Sequence, residues 1–342
     1  MMSHGSISHG AFILGCSGTE LTQAEAAFFR EADPWGFILF ARNVETPQQL
    51  QRLTVQLREA VGRDAIITVD QEGGRVQRLT APQWRQWLPP LDQSAQVAEN
   101  GKDAARAMYL RYRIIAAELR ASGLDSNCAP MVDIATAQTH PFLRNRCYAE
   151  DLQTVVALAQ AVAAGLSHGG VVPVAKHMPG HGRATVDSHK ALPQVTETAQ
   201  VLRREDFAAF AAVGDLPMAM TAHIVFEAFD EAPATTSPVM QKIIRDEIGF
   251  GGLLMTDDIS MQALSGTVAE RARASLDAGC DVVLHCNGDL AEMTDVATAS
   301  GLMTDNAALR ATKAVESRRT PDEVDIAALE AEFNALLTSQ AA

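Results

Sequence analysis

Val171-Val172-Pro173-Val174-Ala175 runs without a break into Lys176-His177-Met178-Pro179-Gly180-His181-Gly182. A short, purely apolar run of this kind is a strand covered on both faces. The tail behind it is rich in glycine and titratable groups, as loops at the mouth of an active site are. The pattern recurs. Candidate strands cover 12–14, 36–40, 65–69, 127–132, 171–175, 217–221, 252–256 and 281–285. Amphipathic segments at 47–61, 103–121, 152–167 and 237–248 read as intervening helices. About eight such units without a composition break predict an α/β fold, a (β/α)8 TIM-type barrel forming a single catalytic domain over 1–342. An open doubly wound sheet is the alternative; no G-x-G-x-x-G turn follows an early strand to support it. From about 320, Pro321 and the spaced Leu329, Phe333, Leu336 and Leu337 predict a C-terminal helical tail.

Composition narrows the partners. With 47% hydrophobic residues the chain can bury a large core, and 28 basic against 42 acidic residues give a net charge of −14. Such an acidic chain is a poor ligand for nucleic acid or an anionic membrane, so a small molecule is the expected partner. An anionic substrate would need a local basic cluster. The first basic residue is Arg30, so the charged start of a secretory signal is not expected. Ile13-Leu14-Gly15-Cys16 loosely mimics a lipoprotein cleavage site, but its apolar lead-in is short and a buried first strand is the better reading. Five scattered cysteines without a C-x-x-C pair fit a reducing, cytoplasmic setting. A monomer is expected.

If the chain is a barrel, its chemistry lies at the C-terminal ends of the strands. Polar residues stand there: Asp70 and Asp133 after strands three and four, Lys176 and His177 after strand five, and His223 after strand six. Asp257-Asp258 follow strand seven, and His285 and Asn287 strand eight. Asp257 suits a nucleophile, a base or a metal ligand, and equally a helix N-cap. The doublet lets one residue cap while the other faces a pocket. Asp187 and His189 are two apart, so in an extended loop they point the same way. A carboxylate beside an imidazole orients it and stabilises its charged form, which makes a general acid/base usable near neutral pH. Asp70-Gln71-Glu72-Gly73-Gly74-Arg75-Val76-Gln77-Arg78 joins carboxylates that can accept from sugar hydroxyls to arginine forks. Taken alone, Arg144 and Arg146 read as a surface charge run.

At these residues the sequence resembles glycoside hydrolase family three, in its single-domain bacterial branch, the β-N-acetylhexosaminidases of peptidoglycan recycling. The resemblance runs from near Gly18 to about Gly288. It is carried by Gly36 to Asn43, Val69 to Val76, Asn127 to Ile134, the K-H-x-P-G-H-G…D-S-H motif at Lys176 to His189, Ala222-His223, Asp257 to Met261, and Ala278 to Asp281. It implies a (β/α)8 barrel with Asp257 as nucleophile and His189 as acid/base held by Asp187. It implies sugar contacts from Asp70, Arg78, Arg146, Lys176 and His177, without metal or cofactor. Met178 stands where the family often has Phe, and Arg146-Cys147-Tyr148-Ala149 where it often has Arg-x-Phe-Gly. The implied reaction is retaining release of terminal β-linked N-acetylglucosamine from fragments carrying anhydro-muramic acid, with or without peptide. A phosphorylase on the same scaffold is one alternative, because a histidine repels phosphate less than a glutamate does. A metal-dependent barrel hydrolase is another, and a non-catalytic binding barrel a third.

Overall fold

The structure is a computed structural model that describes residues 8–186 and 191–338. Eight parallel strands form its centre: β1 Gly10–Leu14, β2 Pro34–Leu39, β3 Ile66–Val69, β4 Ser126–Asn127, β5 Val172–Met178, β6 Met218–Thr221, β7 Leu253–Asp258 and β8 Val282–His285. Their order around the sheet is β3-β2-β1-β8-β7-β6-β5-β4. The two ends of that order meet. Asp125 N donates to Ile67 O at 3.2 Å and Cys128 N to Val69 O at 2.9 Å. The Asn127 side chain exchanges two bonds with the Gln71 backbone, at 3.0 and 3.1 Å. The barrel is closed, as the run of apolar segments predicts, and no strand edge is left open at this seam.

Side chains alternate across each strand. Leu253 and Met255 of β7, Met218 and Met220 of β6, and Val282 and Leu284 of β8 fill the barrel interior. Leu254, Ala219 and Val283 face the surrounding helices. The helices begin where short polar side chains can cap them. Thr22 and Glu25 form a capping box on α1 (Gln23–Ala32), and Thr46 caps α2 (Pro47–Val61) ahead of a proline at its first position. Asp103 caps α3 (Ala104–Ala121) and Asp151 caps α4 (Leu152–His168). These two helices cross closely because Gly165 lacks a side chain: a Cβ there would lie 2.5 Å from Tyr109 O. Farther along, α5 Asp206–Ala211, α6 Pro238–Lys242, α7 Val268–Ala278 and α8 Leu290–Ser300 complete the ring.

Some boundaries differ from the sequence reading. Strand four ends at Asn127 rather than Val132, because Pro130 has no N–H for a regular ladder. The segment still runs along β5, with Lys176 N bonded to Pro130 O and Val132 N to Lys176 O. The helix expected over 237–248 is α6 followed by a wider π-helical turn, Ile243–Glu247.

Two further helices follow the ring. In α9 (Asp305–Glu316), Ala307, Ala308, Ala311 and Ala314 close the N-terminal end of the barrel interior. The terminal helix α10 (Ile326–Leu337) begins at Asp325, its N-cap, rather than near Pro321. It buries Phe333 edge-on against Trp87, centroids 5.4 Å apart. Lys102 Nζ bonds two carbonyls at its C-terminal end, Ala335 O at 2.5 Å and Thr338 O at 2.6 Å. All five cysteines are free and buried. Among the described residues no helix is long and apolar enough to cross a membrane.

Candidate active site

Three inward-facing rows of side chains change character as they reach the C-terminal rim. Ile66 and Thr68 lead to Asp70, Val172 and Val174 to Lys176, and Leu253 and Met255 to Asp257. A cavity of about 330 Å³ opens where they end. Asp70, Arg78, Arg146, Lys176, His177 and Asp257 all line it.

One wall is a lattice of charges. Lys176 Nζ lies 2.8 Å from Asp70 Oδ1 and 2.5 Å from Glu72 Oε1. Arg78 Nη2 lies 2.9 Å from Asp70 Oδ2. Arg146 grips both oxygens of Glu72, with Nε at 3.0 Å and Nη2 at 2.9 Å. Burial opposes ionisation of both carboxyls, but their cations overrule it. Lys176 and Arg78 hold Asp70 well below the usual carboxylate range, and Arg146 with Lys176 brings Glu72 down to about 2. Burial likewise opposes the charge on Lys176, yet Asp70 and Glu72 push its pKa above its ordinary value. The wall is thus fully ionised at neutral pH.

The second wall is a braced histidine. His177 Nδ1 lies 2.8 Å from Asp133 Oδ2. Asp133 also accepts the backbone N–H groups of His177, at 3.2 Å, and His181, at 2.6 Å. With Asp133 accepting, Nδ1 carries a proton and Nε2 turns to the cavity. There it stands 3.5 Å from Arg146 Nη2 and 4.0 Å from Asp257 Oδ2. His181 packs beside it, ring centroids 5.4 Å apart. Burial, then the neighbouring His177, lowers the His181 pKa to about 4, so this imidazole is neutral. His181 Nδ1 and Arg78 Nε are buried without a hydrogen-bond partner among the described residues.

The floor carries Asp257. Its carboxylate accepts the N–H of Asp258 at 2.8 Å, and its side chain keeps 20% of its surface exposed. Burial favours the neutral acid, but His177 and His223 hold the pKa below its ordinary value. Asp258 differs. Its oxygens accept Ser260 N at 3.0 Å, Ser260 Oγ at 2.6 Å and Cys286 N at 3.3 Å. Both aspartates line the cavity, but Asp258 is spent on tying the loop together while the Asp257 carboxylate is left largely open. His223 is fixed in the wall between Thr235 Oγ1 at 2.7 Å and Asp258 O at 3.0 Å.

Six residues singled out in the sequence thus meet in one cavity: Asp70, Arg78, Arg146, Lys176, His177 and Asp257. Asp187 and His189 lie outside the described residues. His285 and Asn287 do not join the cavity; both bond Glu292, at 2.9 and 2.6 Å. Arg144 and Arg146, alike in sequence, part company: Arg144 pairs with exposed Glu150, while Arg146 is buried on Glu72. Glu72 and Asp133 are structural keys; the sequence places Asp133 at a strand end and Glu72 among carboxylates suited to sugar hydroxyls, but names the partner of neither. A carboxylate two residues beyond Asp70 was the available signal for Glu72. Among the described residues no group of three His, Cys, Asp or Glu is placed to hold a metal ion.

A closed eight-stranded parallel barrel with ionised carboxylates and cations gathered at its C-terminal rim defines a (β/α)8 enzyme. The chain belongs to glycosyl hydrolase family 3, whose N-terminal domain matches residues 17–316, and it is a glycoside hydrolase. It is 37% identical over 284 residues to the β-hexosaminidase of Methylobacillus flagellatus, covering 81% of this chain and 80% of the relative. The β-hexosaminidase of Pseudomonas aeruginosa is 36% identical over 282 residues, covering 81% and 82%. NagZ from Neisseria gonorrhoeae, solved in complex with N-trifluoroacetyl-D-glucosamine, is similar in structure with a TM-score of 0.83. That match has 30% identity and covers 97% of this chain and 96% of the other. A family 3 β-N-acetylglucosaminidase from Paenibacillus sp. gives a TM-score of 0.79 at 27% identity, covering 97% and 62%.

Proposed function

We propose that the chain is a retaining exo-β-N-acetylglucosaminidase that acts in the cytoplasm on peptidoglycan fragments. Its substrate would be a terminal β-linked N-acetylglucosamine joined to anhydro-muramic acid, with or without peptide. The observation that carries this reading is Asp257: a carboxylate held ionised, open to the cavity, paired with no lysine or arginine among the described residues and with His177 Nε2 4.0 Å away. A carboxylate left unsaturated in this way can attack carbon. The relatives' β-hexosaminidase names support the choice of sugar.

In the first step an Asp257 oxygen bonds to the anomeric carbon while the bond to the leaving oxygen breaks. His189, oriented by Asp187, gives its proton to that oxygen. In the second step His189 takes a proton from water, whose oxygen displaces Asp257 and restores the starting configuration. Asp70, Arg78, Arg146, Lys176 and His177 hold the sugar. Their ion pairs exist before substrate arrives, so little reorganisation is needed.

A slow N-acetylglucosaminide with a fluorinated sugar tests the proposal. The expected result is a covalent adduct mapped by peptide sequencing to Asp257, and a product of retained configuration. An adduct elsewhere or an inverted product rejects it. Turnover that requires inorganic phosphate would instead favour the phosphorylase.

A further inference from the structure

Arg75 stands apart among the cations of the cavity. Arg78, Arg146 and Lys176 each touch Asp70 or Glu72. Arg75 also lines the cavity, but it is exposed and has no carboxylate partner among the described residues. Its guanidinium lies over the ring of Phe142, 3.8 Å from the centroid, and its Nη1 donates to Phe142 O at 3.1 Å. The same ring lies 5.6 Å from the Arg146 guanidinium. Phe142 therefore spaces an inner arginine, spent on Glu72, from an outer one that no described carboxylate neutralises.

The pair is held in place from both sides. Arg75 leaves a Gly73-Gly74 turn in which both glycines have positive φ, 103° and 59°. A Cβ on Gly73 would lie 1.9 Å from Arg111 Nη2, and one on Gly74 2.9 Å from the Pro89 Cα. The turn is thus pressed against its support, and only glycine fits. Phe142 sits on the short helix Pro141–Arg144, where its N–H donates to His140 Nδ1 at 3.2 Å. His140 N in turn bonds Ala184 O at 2.9 Å, which ties this helix to the segment running towards Asp187.

We propose that Arg75, backed by Phe142, is the anion anchor of the leaving-group subsite, and that it selects β-glycosides whose leaving group carries a carboxylate. The inference rests on the glycosidase reading above. On a chain of net charge −14, an anionic leaving group is repelled over most of the surface. Among the described residues Arg75 is a cation at the cavity free of a carboxylate partner, and its stacked plane presents a fork suited to a carboxylate.

The test uses three N-acetyl-β-glucosaminides: a neutral aryl glycoside, one whose leaving group carries a carboxylate, and the methyl ester of the latter. The full-length wild-type protein is expected to favour the carboxylate over its ester in kcat/KM, by about threefold to fivefold, as for a partly exposed ion pair. This preference is expected to shrink as salt is raised. Arg75→Gln should bring the ratio to about one, and Arg75→Glu should invert it, since like charge now meets the carboxylate. Phe142→Ala should reduce the ratio by loosening the stack. Equal kcat/KM for acid and ester in the wild type, or a ratio unmoved by Arg75→Glu, overturns the anchor and leaves the glycosidase reading standing. Failure of the wild type to cleave even the neutral aryl glycoside defeats both.

Discussion

At the N-terminal end of the barrel, Asp125 is wholly buried and accepts Ile67 N at 2.8 Å and Arg58 Nη2 at 3.0 Å, with Arg318 on the same oxygen as Arg58. Across the same end, Asp281 accepts Leu254 N at 2.9 Å and pairs with Arg245 at 2.7 Å and Arg310 at 2.8 Å. Both clusters tie α9 and the chain after it to strand starts. At the C-terminal end, Asp70 and Glu72 are paired as tightly, with Lys176, Arg78 and Arg146. The ends differ in what remains unsaturated. Below, each oxygen of these carboxylates is spent on backbone or arginine. Above, the lattice borders a cavity in which Asp257 keeps an open face and a depressed pKa. Buried charge alone does not mark a functional site, since both ends have it. An ionised group left facing space does.

The sharpest break of this comparison is Asp257→Asn. Turnover is expected to fall by a factor on the order of 10^4, as for loss of a nucleophile. The denaturation midpoint should barely move. Steady-state kinetics and urea melts on one preparation decide it; near-normal turnover would mean that the open carboxylate is not the attacking group.

Lys176→Met comes next. It takes one of two cations from Asp70 and from buried Glu72, and should cost about 3 kcal/mol of stability. The pH dependence has a definite sign. Glu72, held at about 2 against an ordinary 4.5, contributes stability that is present above the ordinary value and lost as pH falls towards the folded one. Removing Lys176 raises the folded pKa, so acid unfolding should begin at higher pH than in the wild type. Melts across an acid pH series measure this, and an unchanged acid limb would count against the coupling.

Asp125→Asn should destabilise by about 3 kcal/mol through the broken buried pairs. Its kcat/KM at low temperature should stay within about threefold of wild type, because the two ends of the barrel are far apart. A loss of activity as large as the loss seen at the rim would erase the distinction between the ends.

Asp133→Asn removes the charged acceptor behind His177. We expect roughly a 10- to 100-fold fall in kcat/KM, the range for a lost hydrogen bond to a charged group. An accompanying rise in KM would place the effect on sugar binding.

The finest effect is a pH shift, superimposed on a loss of kcat/KM at least as large as that of Asp133→Asn, since His177 is itself a proposed sugar contact. His177→Asn removes the imidazole that helps to lower the Asp257 pKa, so the acid limb of the pH–rate profile should move to higher pH. A limb that stays in place would assign that limb to another group.

How far the sequence reached can be traced in single residues. The period-two alternation along β3, β5 and β7 puts Asp70, Lys176 and Asp257 in line with buried inward positions. In the sequence the unbroken apolar runs made the barrel legible and the strand-end position of these three residues with it, while their roles came from the family resemblance. The C-terminal placement of charge followed from the same rows. Asp257 and Asp258, however, are interchangeable in a one-dimensional reading. Only the bonds from Ser260 and Cys286 show which of them is tied down.

Local pattern decides which face of a strand a side chain takes, because that depends on the residue's own backbone and its neighbours two away. The sequence by itself therefore determined the strand–helix alternation, the apolar interior and the chemistry waiting at the strand ends. Tertiary structure alone decided the partnerships. Lys176 meets Asp70 across 106 residues and Arg146 meets Glu72 across 74. Asp133 braces His177, 44 residues away, and the Asn127 side chain seals the barrel against Gln71. Such pairs depend on where closure brings distant strand ends, and on which carboxylates the backbone has already satisfied. No periodicity encodes either, so identical residue types became structural clasps at one end of the barrel and an open site at the other.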